Sequence, residues 1–239
     1  MAVAHVQSAS HYDSGYWNSV SLSNVGQGNL LVMLISGASG QTVTGITVTA
    51  GTTGTWQSAG SHDYGSGSVS IAIWFCYHTG PSETVSAHPD GSAVDAGYSL
   101  HEYSGVATAS PQVGSLVYDE IGNGDASFAT SNITGVPSDA VLVAMWASES
   151  ADRTISWTGY TQRTNESGHY HKSADRIISA AGNYNCAGSQ DSSGISALVC
   201  CVCFQGPVAS STPSLKRRLN ILLRLCLSSF STLFGRLLR

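Results

Sequence analysis

Charged residues are scarce in this sequence, and its first 152 residues contain neither lysine nor arginine. Charged residues make up 10% of the 239, against about 25% in an average soluble domain. Binding to a phosphate backbone depends on cationic side chains, which release the counterions of the nucleic acid. The lack of cations therefore argues against nucleic-acid binding by this stretch.

The sequence also lacks the motifs of several enzyme classes. It contains no Walker A loop, no dinucleotide-binding glycine fingerprint and no nucleophile elbow. Glycoside hydrolysis needs two carboxylates about 5 to 10 Å apart. Asp119 and Glu120 are adjacent on a predicted strand and so point to opposite faces, and Glu102 is a single acid. We therefore expect neither an enzyme nor a bound cofactor or metal.

Cysteines are few and show no C-x-x-C pair or other metal-binding spacing. Three of the six, Cys200, Cys201 and Cys203, lie in one apolar run, which favours buried thiols over disulfides. The first residues contain no basic segment followed by a long apolar one. We therefore expect no secretory signal, and synthesis in a reducing compartment.

The apolar segments are short and bounded by glycine, serine and threonine, a pattern typical of β-strands joined by tight turns. Thirteen strands are predicted between residues 2 and 204, and no helix is needed before residue 212. Segments 29–36, 140–147 and 197–204 are apolar at nearly every position, so both of their faces are expected to be buried. The predicted fold class is all-β, a two-sheet β-sandwich.

The order of these segments occurs twice, in residues 28–106 and 138–208. Each copy opens with an apolar strand, continues with a strand and turn rich in threonine and aromatic residues, and closes at Gly-Val or Gly-Pro-Val. A copy of roughly 80 residues is small for a core of its own. We therefore expect the copies to interleave into one internally duplicated two-sheet sandwich, a single domain over residues 1–208.

The pattern GNLLVMLIS, SVSIAIWFCYHTG and YSLHEYSGV, followed by a second copy from DAVLVAMWAS, is similar to a known group of domains. It resembles the jelly-roll-like β-sandwich domains of tailed-phage virion proteins and of bacterial surface proteins. The resemblance covers residues 1–208 and is one of pattern, with no invariant motif. It implies a jelly-roll-like sandwich used for display, decoration or glycan contact, not for catalysis.

The C-terminal segment differs from the rest of the chain. Residues 209–213 are a predicted flexible linker, and residues 214–239 a predicted amphipathic basic helix. Residues 1–212 carry a net charge of −11, whereas residues 213–239 contain six basic and no acidic residues. The residues expected to anchor this helix to a partner are Leu215, Lys216, Arg217, Arg218, Leu219, Leu222, Leu223, Arg224, Cys226, Phe230, Leu233, Phe234 and Leu237.

The apolar face of this predicted helix has to be buried, and three surroundings suit it. A capsid or tail protein, or sister copies of this chain, are the favoured partners, because a helix bound in a groove uses apolar residues at this spacing. A membrane surface and the chain's own sandwich are the alternatives. A membrane-spanning helix fits poorly, since Arg224 interrupts the apolar stretch.

Two groups of side chains in the predicted sandwich are weaker candidates for a site. His169 and His171 have a spacing suited to a metal, with His62 or Asp63 as a third ligand, although two loop histidines are the simpler interpretation. Aromatic residues near loops and strand ends have the chemistry to stack on sugar rings, although rim packing is the simpler interpretation. These aromatic residues are Tyr12, Tyr16, Trp17, Trp56, Tyr64 and Trp157.

The sequence thus predicts a non-enzymatic virion structural protein, namely a capsid decoration protein, a head fibre or a tail component. It would be made in the host cytoplasm and located at the virion surface, with its helix joining it to the capsid, to the tail or to sister copies. The alternative is a carbohydrate-binding module or adhesin attached to an envelope by the same helix. Weak glycan binding is compatible with both hypotheses.

Overall fold

The computed structural model describes residues 2–207 apart from 14–17, 39–41, 65–68, 92–95, 149–151, 167–169 and 194. The described residues form eighteen β-strands and no helix. They belong to one compact unit, Met1–Pro207. Every strand pairing in the five sheets is antiparallel, so the fold is all-β and sandwich-like.

The first half of the unit contains eight strands in two sheets. Five strands form a larger sheet in the order β1-β8-β3-β6-β5, and three form a smaller sheet in the order β2-β7-β4. The strands are β1 (Ala4–Asp13), β2 (Val20–Val25), β3 (Leu30–Ala38), β4 (Val43–Ala50), β5 (Gln57–Asp63), β6 (Val69–Tyr77), β7 (Glu83–Gly91) and β8 (Ala96–Ser104).

The second half repeats this strand order. Its larger sheet has the order β9-β18-β12-β15-β14, and its smaller sheets are β10-β17-β13 and the pair β11-β16. Its strands are β9 (Gln112–Ile121), β10 (Ser127–Ala129), β11 (Ile133–Val136), β12 (Ala140–Ser148), β13 (Ile155–Trp157), β14 (Thr161–Glu166), β15 (His171–Ile178), β16 (Gly182–Tyr184), β17 (Ala187–Gln190) and β18 (Ala197–Gln205). The repeated order includes β1, β2 and β9 to β11, which lie outside the two segments that the sequence shows as copies.

The two halves also match residue by residue. Leu30 and Val141 each follow, by two residues, a backbone position with positive φ, which is 80° at Gly28 and 64° at Asp139. Both side chains enter the same core. In each half, the edge strand of the larger sheet also contains a bulge at the same point of its ladder, in β5 against β6 and in β14 against β15. These matches define equivalent positions in the two halves.

The two larger sheets pack face to face. Apolar side chains of β3 and β6 meet those of β12 and β18 in one buried core. At the two edges, β1 lies against β14, and β5 lies against β9. The smaller sheets cover the outer faces and enclose two more cores. The strands therefore form four layers with three cores between them.

This arrangement differs from the single two-sheet sandwich predicted from the sequence. Each half closes a core of its own between its larger and smaller sheets. The larger sheets are apolar on both faces: Leu31 and Leu142 point into the core of their own half, whereas Leu30 and Val141 point toward the other half. Each half therefore buries one face of its larger sheet internally and the other against its counterpart, and the halves do not interleave.

The strand prediction also misses some elements. It omits β5, β14 and β17, and it places one strand over residues 175–184, where β15 ends and β16 follows. β5 and β14 are edge strands: each pairs with a single neighbour and contains a bulge. Neither shows the regular alternation of apolar and polar residues by which strands are predicted. The predicted two-faced strands, by contrast, are confirmed: β12 is buried at every position.

Candidate functional site

The core between the halves is apolar at one corner and polar at the other. At the apolar corner, between β6 and β18, the rings of Phe75 and Phe204 meet edge to face with centroids 5.1 Å apart. At the polar corner, between β8 and β15, the equivalent positions carry Asp175 and Tyr103. Equivalent positions of the two halves thus form an apolar contact at one corner and a cluster of polar side chains at the other.

His171 connects the two halves at the polar corner. Its ring is fully buried, with Nδ1 3.0 Å from Ser36 Oγ and Nε2 2.9 Å from Ser99 Oγ. Ser36 donates its own proton to the carbonyl of Gly97 at 3.1 Å, so its oxygen accepts from Nδ1–H of His171. Ser99 then donates to Nε2 of His171 and accepts from Nε2–H of His101 at 3.0 Å. The chain of bonds is complete only while His171 is neutral, because its Nε2 has to accept from Ser99.

Burial keeps both histidines neutral. It lowers the pKa of His171 to about 3, and the charge of Lys172 contributes to the same shift. Burial, followed by electrostatic interactions with the neighbouring His5 and His171, lowers the pKa of His101 well below its usual value. Both side chains are therefore unprotonated at neutral pH, and the acceptor role of His171 Nε2 requires this of His171.

An ion pair lies beside these histidines. Arg163 Nη2 is 2.9 Å from Asp175 Oδ1, and Arg163 Nε donates to Asp175 Oδ2 at 2.9 Å. The side chain of Asp175 is 1% exposed and that of Arg163 25%. Burial and the nearby carboxylate of Asp175 raise the pKa of Tyr103 well above its usual value. At the apolar corner, Ala59 is the bulge residue equivalent to Arg163.

Glu102 is fully buried but has a complete set of partners. Its Oε1 accepts from the backbone N–H of Gly26 at 2.7 Å and from Asn29 Nδ2 at 2.6 Å, and its Oε2 accepts from Gln7 Nε2 at 2.6 Å. These three donors fix the position of the side chain. Glu102 therefore joins β1, β8 and the turn before β3, a structural task.

A groove opens in the first half where β5 extends past the three-stranded sheet. Because five strands face three, Ser58, Ser61 and Asp63 of β5 remain exposed on the inner side. They line a depression of about 100 Å³ together with Trp74 of β6 and Thr42 next to β4. The groove thus combines an indole ring with hydroxyl and carboxylate groups.

The second half has a groove at the equivalent place, and its lining is more polar. It has a volume of about 180 Å³ and is lined by Asp152, Arg153, Thr154, Ile155, Gln162, Asn165, Lys172 and Asp191. The paired strands place Asn165 at the position of Ser61 and Lys172 at the position of Ala72. The same architectural gap is therefore lined by four charged side chains in the second half and by one, Asp63, in the first.

Lys172 is a buried cation that lines this second groove. The residue is 3% exposed, its Nζ is 2.7 Å from Asp152 Oδ1, and it donates to the side-chain oxygen of Asn165. The Nε of Arg153 is also buried and has no hydrogen-bond partner among the described residues. The groove therefore contains one ammonium group held in place and one unsatisfied donor.

The described candidate metal ligands lie apart in the structure. His171 is bound to two serines across the core between the halves, and His169 lies outside the described residues. His62, at the far edge of the larger sheet, contacts Glu120 at 2.8 Å and stacks on Tyr118. Within the described part of the chain, no group of three or more histidine, cysteine, aspartate or glutamate side chains is placed to hold a metal ion.

The structure separates the aromatic residues considered for sugar stacking. Trp157 lies beside the second groove, because its indole N–H donates to Gln162 Oε1 at 3.2 Å. Trp56 packs against the core of the first half and Tyr64 against the core between the halves. Tyr12 is the last residue but one of β1, whereas residues 16 and 17 lie outside the described residues.

All thirteen side chains proposed as partner anchors belong to residues 208–239, which lie outside the described part of the chain. The described residues contain no helix long and apolar enough to cross a membrane. The five cysteines within the described part are buried and free, as the apolar run at 200–203 predicts for three of them.

Sequence reasoning missed the second groove and the polar corner. Lys172 and Asp175 are charged residues in a segment with no apolar periodicity, so composition assigns them to the surface. One signal was available: aligning the two repeats along β6 and β15 places Lys172 against Ala72, and a lysine at the buried position of an alanine needs an explanation.

Comparison of the chain with protein-family models, with curated proteins and with solved structures finds no match.

Proposed function

We propose that this chain is a non-enzymatic structural protein of a virus particle, a capsid decoration protein, head fibre or tail component displayed on the virion surface. The observation that carries the proposal is the strand order β1-β8-β3-β6 with β2-β7-β4, which occurs in both halves. We infer from it two jelly rolls fused in one chain. Jelly rolls are the architecture of many viral capsid and lectin domains, and this support is an analogy of fold.

The packing of the halves supports a display role. The apolar faces of the central strands of the two larger sheets are buried against each other, so the described residues of the two halves form one body. A body of this kind suits a rigid element on a particle. Its scarce cations also suit a surface that does not bind the packaged nucleic acid.

In this proposal, residues 214–239 form the helix that anchors the body to a capsid or tail protein or to sister copies. Their six basic residues carry the charge opposite to that of residues 1–212, so neighbouring copies attract each other through unlike segments. The apolar residues of the segment would be buried at that contact. Synthesis in the host cytoplasm fits the free cysteines of the body.

Light scattering on the full chain and on a variant with Leu219, Leu222 and Phe230 changed to serine tests the anchor. An oligomer that becomes a folded monomer in the variant is the expected result. The matched control changes Ser228 and Ser231, on the opposite face of the predicted helix, to alanine and should leave the oligomer intact. A full chain that is monomeric and binds anionic liposomes would favour the envelope-attached adhesin instead.

A further inference from the structure

We propose that the groove of the second half is a carbohydrate-binding site that holds one pyranose ring beside Lys172. This inference concerns residues of the described body and does not rest on the display proposal. It starts from a comparison within the chain. Ala72 fills the position of Lys172 in the first half, so the fold itself does not require a charged residue there.

The charge of the lining favours a neutral ligand. Arg153 and Lys172 supply two positive charges, and Asp152 and Asp191 supply two negative ones. A hydrogen bond with the backbone of Thr154 lowers the pKa of Asp191, which is therefore ionised at neutral pH. Because the charges balance, an anion such as phosphate gains little here, whereas a sugar hydroxyl, which both donates and accepts, finds both kinds of partner.

The donors of the groove are already in place. Asp152 and Asn165 accept from two of the three N–H groups of the Lys172 ammonium, which fixes its position. The buried Nε of Arg153 lacks a partner among the described residues, and such a group is costly to leave unsatisfied. This nitrogen has almost no solvent-accessible surface, so a ligand oxygen would reach it through a rotation of the Arg153 side chain, which lines the groove.

The size of the groove and a neighbouring ring also fit a sugar. Its volume of about 180 Å³ lies below the range of about 300 to 1,000 Å³ found for drug-sized ligands, so it suits a single ring. The half-buried Trp157 is tied to the lining through Gln162. Sugar rings present C–H groups on one face, and an indole is the side chain that packs best against such a face.

Saturation-transfer NMR on the full chain tests the site. The probes are the methyl glycosides of glucose, galactose, mannose and N-acetylglucosamine at millimolar concentration. We expect transfer to at least one of them. Lys172→Ala, which copies the residue of the first half, and Arg153→Ala should each weaken that binding about tenfold or more, the effect of losing a hydrogen bond to a charged group.

The matched control is Arg176→Ala. Arg176 is another cation of β15, but it packs over the ring of Tyr184 at 5.0 Å and does not line the groove, so binding should persist. Three outcomes overturn the proposal. They are no transfer to any of the four glycosides, binding that survives both Lys172→Ala and Arg153→Ala in folded protein, and displacement of the bound glycoside by inorganic phosphate. None of them affects the anchoring role proposed for residues 214–239.

Discussion

Asp175 occupies in the second half the position that Phe75 occupies in the first. Each residue pairs with a valine of the central strand of its larger sheet, Val143 and Val32, and each points into the core between the halves. Equivalent positions in matched environments thus hold an ion-paired carboxylate and a phenyl ring. The chain therefore supplies its own apolar substitute for each polar residue of the corner.

The first prediction exchanges the ion pair for its apolar counterpart. Asp175→Ala should lower the free energy of unfolding by about 3 kcal/mol, because Arg163 keeps a partly buried charge without its partner. The double variant Arg163→Ala/Asp175→Phe copies Ala59 and Phe75 and should recover most of this loss, since apolar residues often replace a buried ion pair without penalty. Urea denaturation measures both values. A double variant less stable than Asp175→Ala would show that the two corners are not interchangeable.

The second prediction concerns the buried carboxylate of Glu102. Glu102→Ala should lower the free energy of unfolding by about 3 kcal/mol or more, because it leaves the donors of Gly26, Asn29 and Gln7 without their acceptor. Glu102→Gln keeps one acceptor oxygen and should lose less. Glu120→Gln, a partly exposed carboxylate of β9, is the control and should change stability by under about 1 kcal/mol. Equal losses in Glu102→Ala and Glu120→Gln would contradict the structural role of Glu102.

The sequence was sufficient to predict the central strands of this fold. β3, β12 and β18 are apolar on both faces, so their composition alone predicts buried strands. The edge strands β5 and β14 could not be predicted in this way. Their residues pair on one side only and face a groove or solvent on the other, so no alternation of apolar and polar residues marks them.

Composition and periodicity could not predict how the two halves pack either. His171 and Asp175 are buried only because a second sheet supplies Ser36, Ser99 and Tyr103 from elsewhere in the chain. A local pattern contains no information about partners more than 70 residues away. The candidate groove escaped prediction for a different reason. Asp152 and Asn165 lie within 20 residues of Lys172, but no pattern of apolar and polar residues indicates that their side chains meet inside the body.

The third prediction is that the described thiols are unreactive in the folded chain. Burial raises the pKa of Cys201 and of Cys203 to about 12, and the other three described cysteines are also buried. The thiolate is the reactive form. In a Cys226→Ser variant, Ellman's reagent at pH 8 should therefore detect no thiol before unfolding and five after addition of denaturant. Rapid native labelling of any thiol would contradict the buried cores.

The fourth prediction is a loss of stability in mild acid that depends on His171. Folding lowers the pKa of this side chain to about 3, whereas an unfolded histidine titrates near 6.5. Between these two pKa values, the unfolded chain binds a proton at this side chain and the folded chain does not. The stabilisation is therefore complete above about pH 6.5 and is lost as the pH falls from there toward 3. Between pH 7 and pH 5, His171 alone should reduce the free energy of unfolding by about 2 kcal/mol.

His171→Ile, which copies Ile71 at the equivalent position of β6, isolates this contribution. The variant loses the bonds to Ser36 and Ser99 at every pH, so the informative quantity is the difference in unfolding free energy between pH 7 and pH 5. That difference should shrink by about 2 kcal/mol relative to the unmodified chain. His88→Gln, at a partly exposed position of β7, should leave it unchanged. If His171→Ile keeps the full pH dependence, protonation of this ring is not what weakens the contact between the halves in acid.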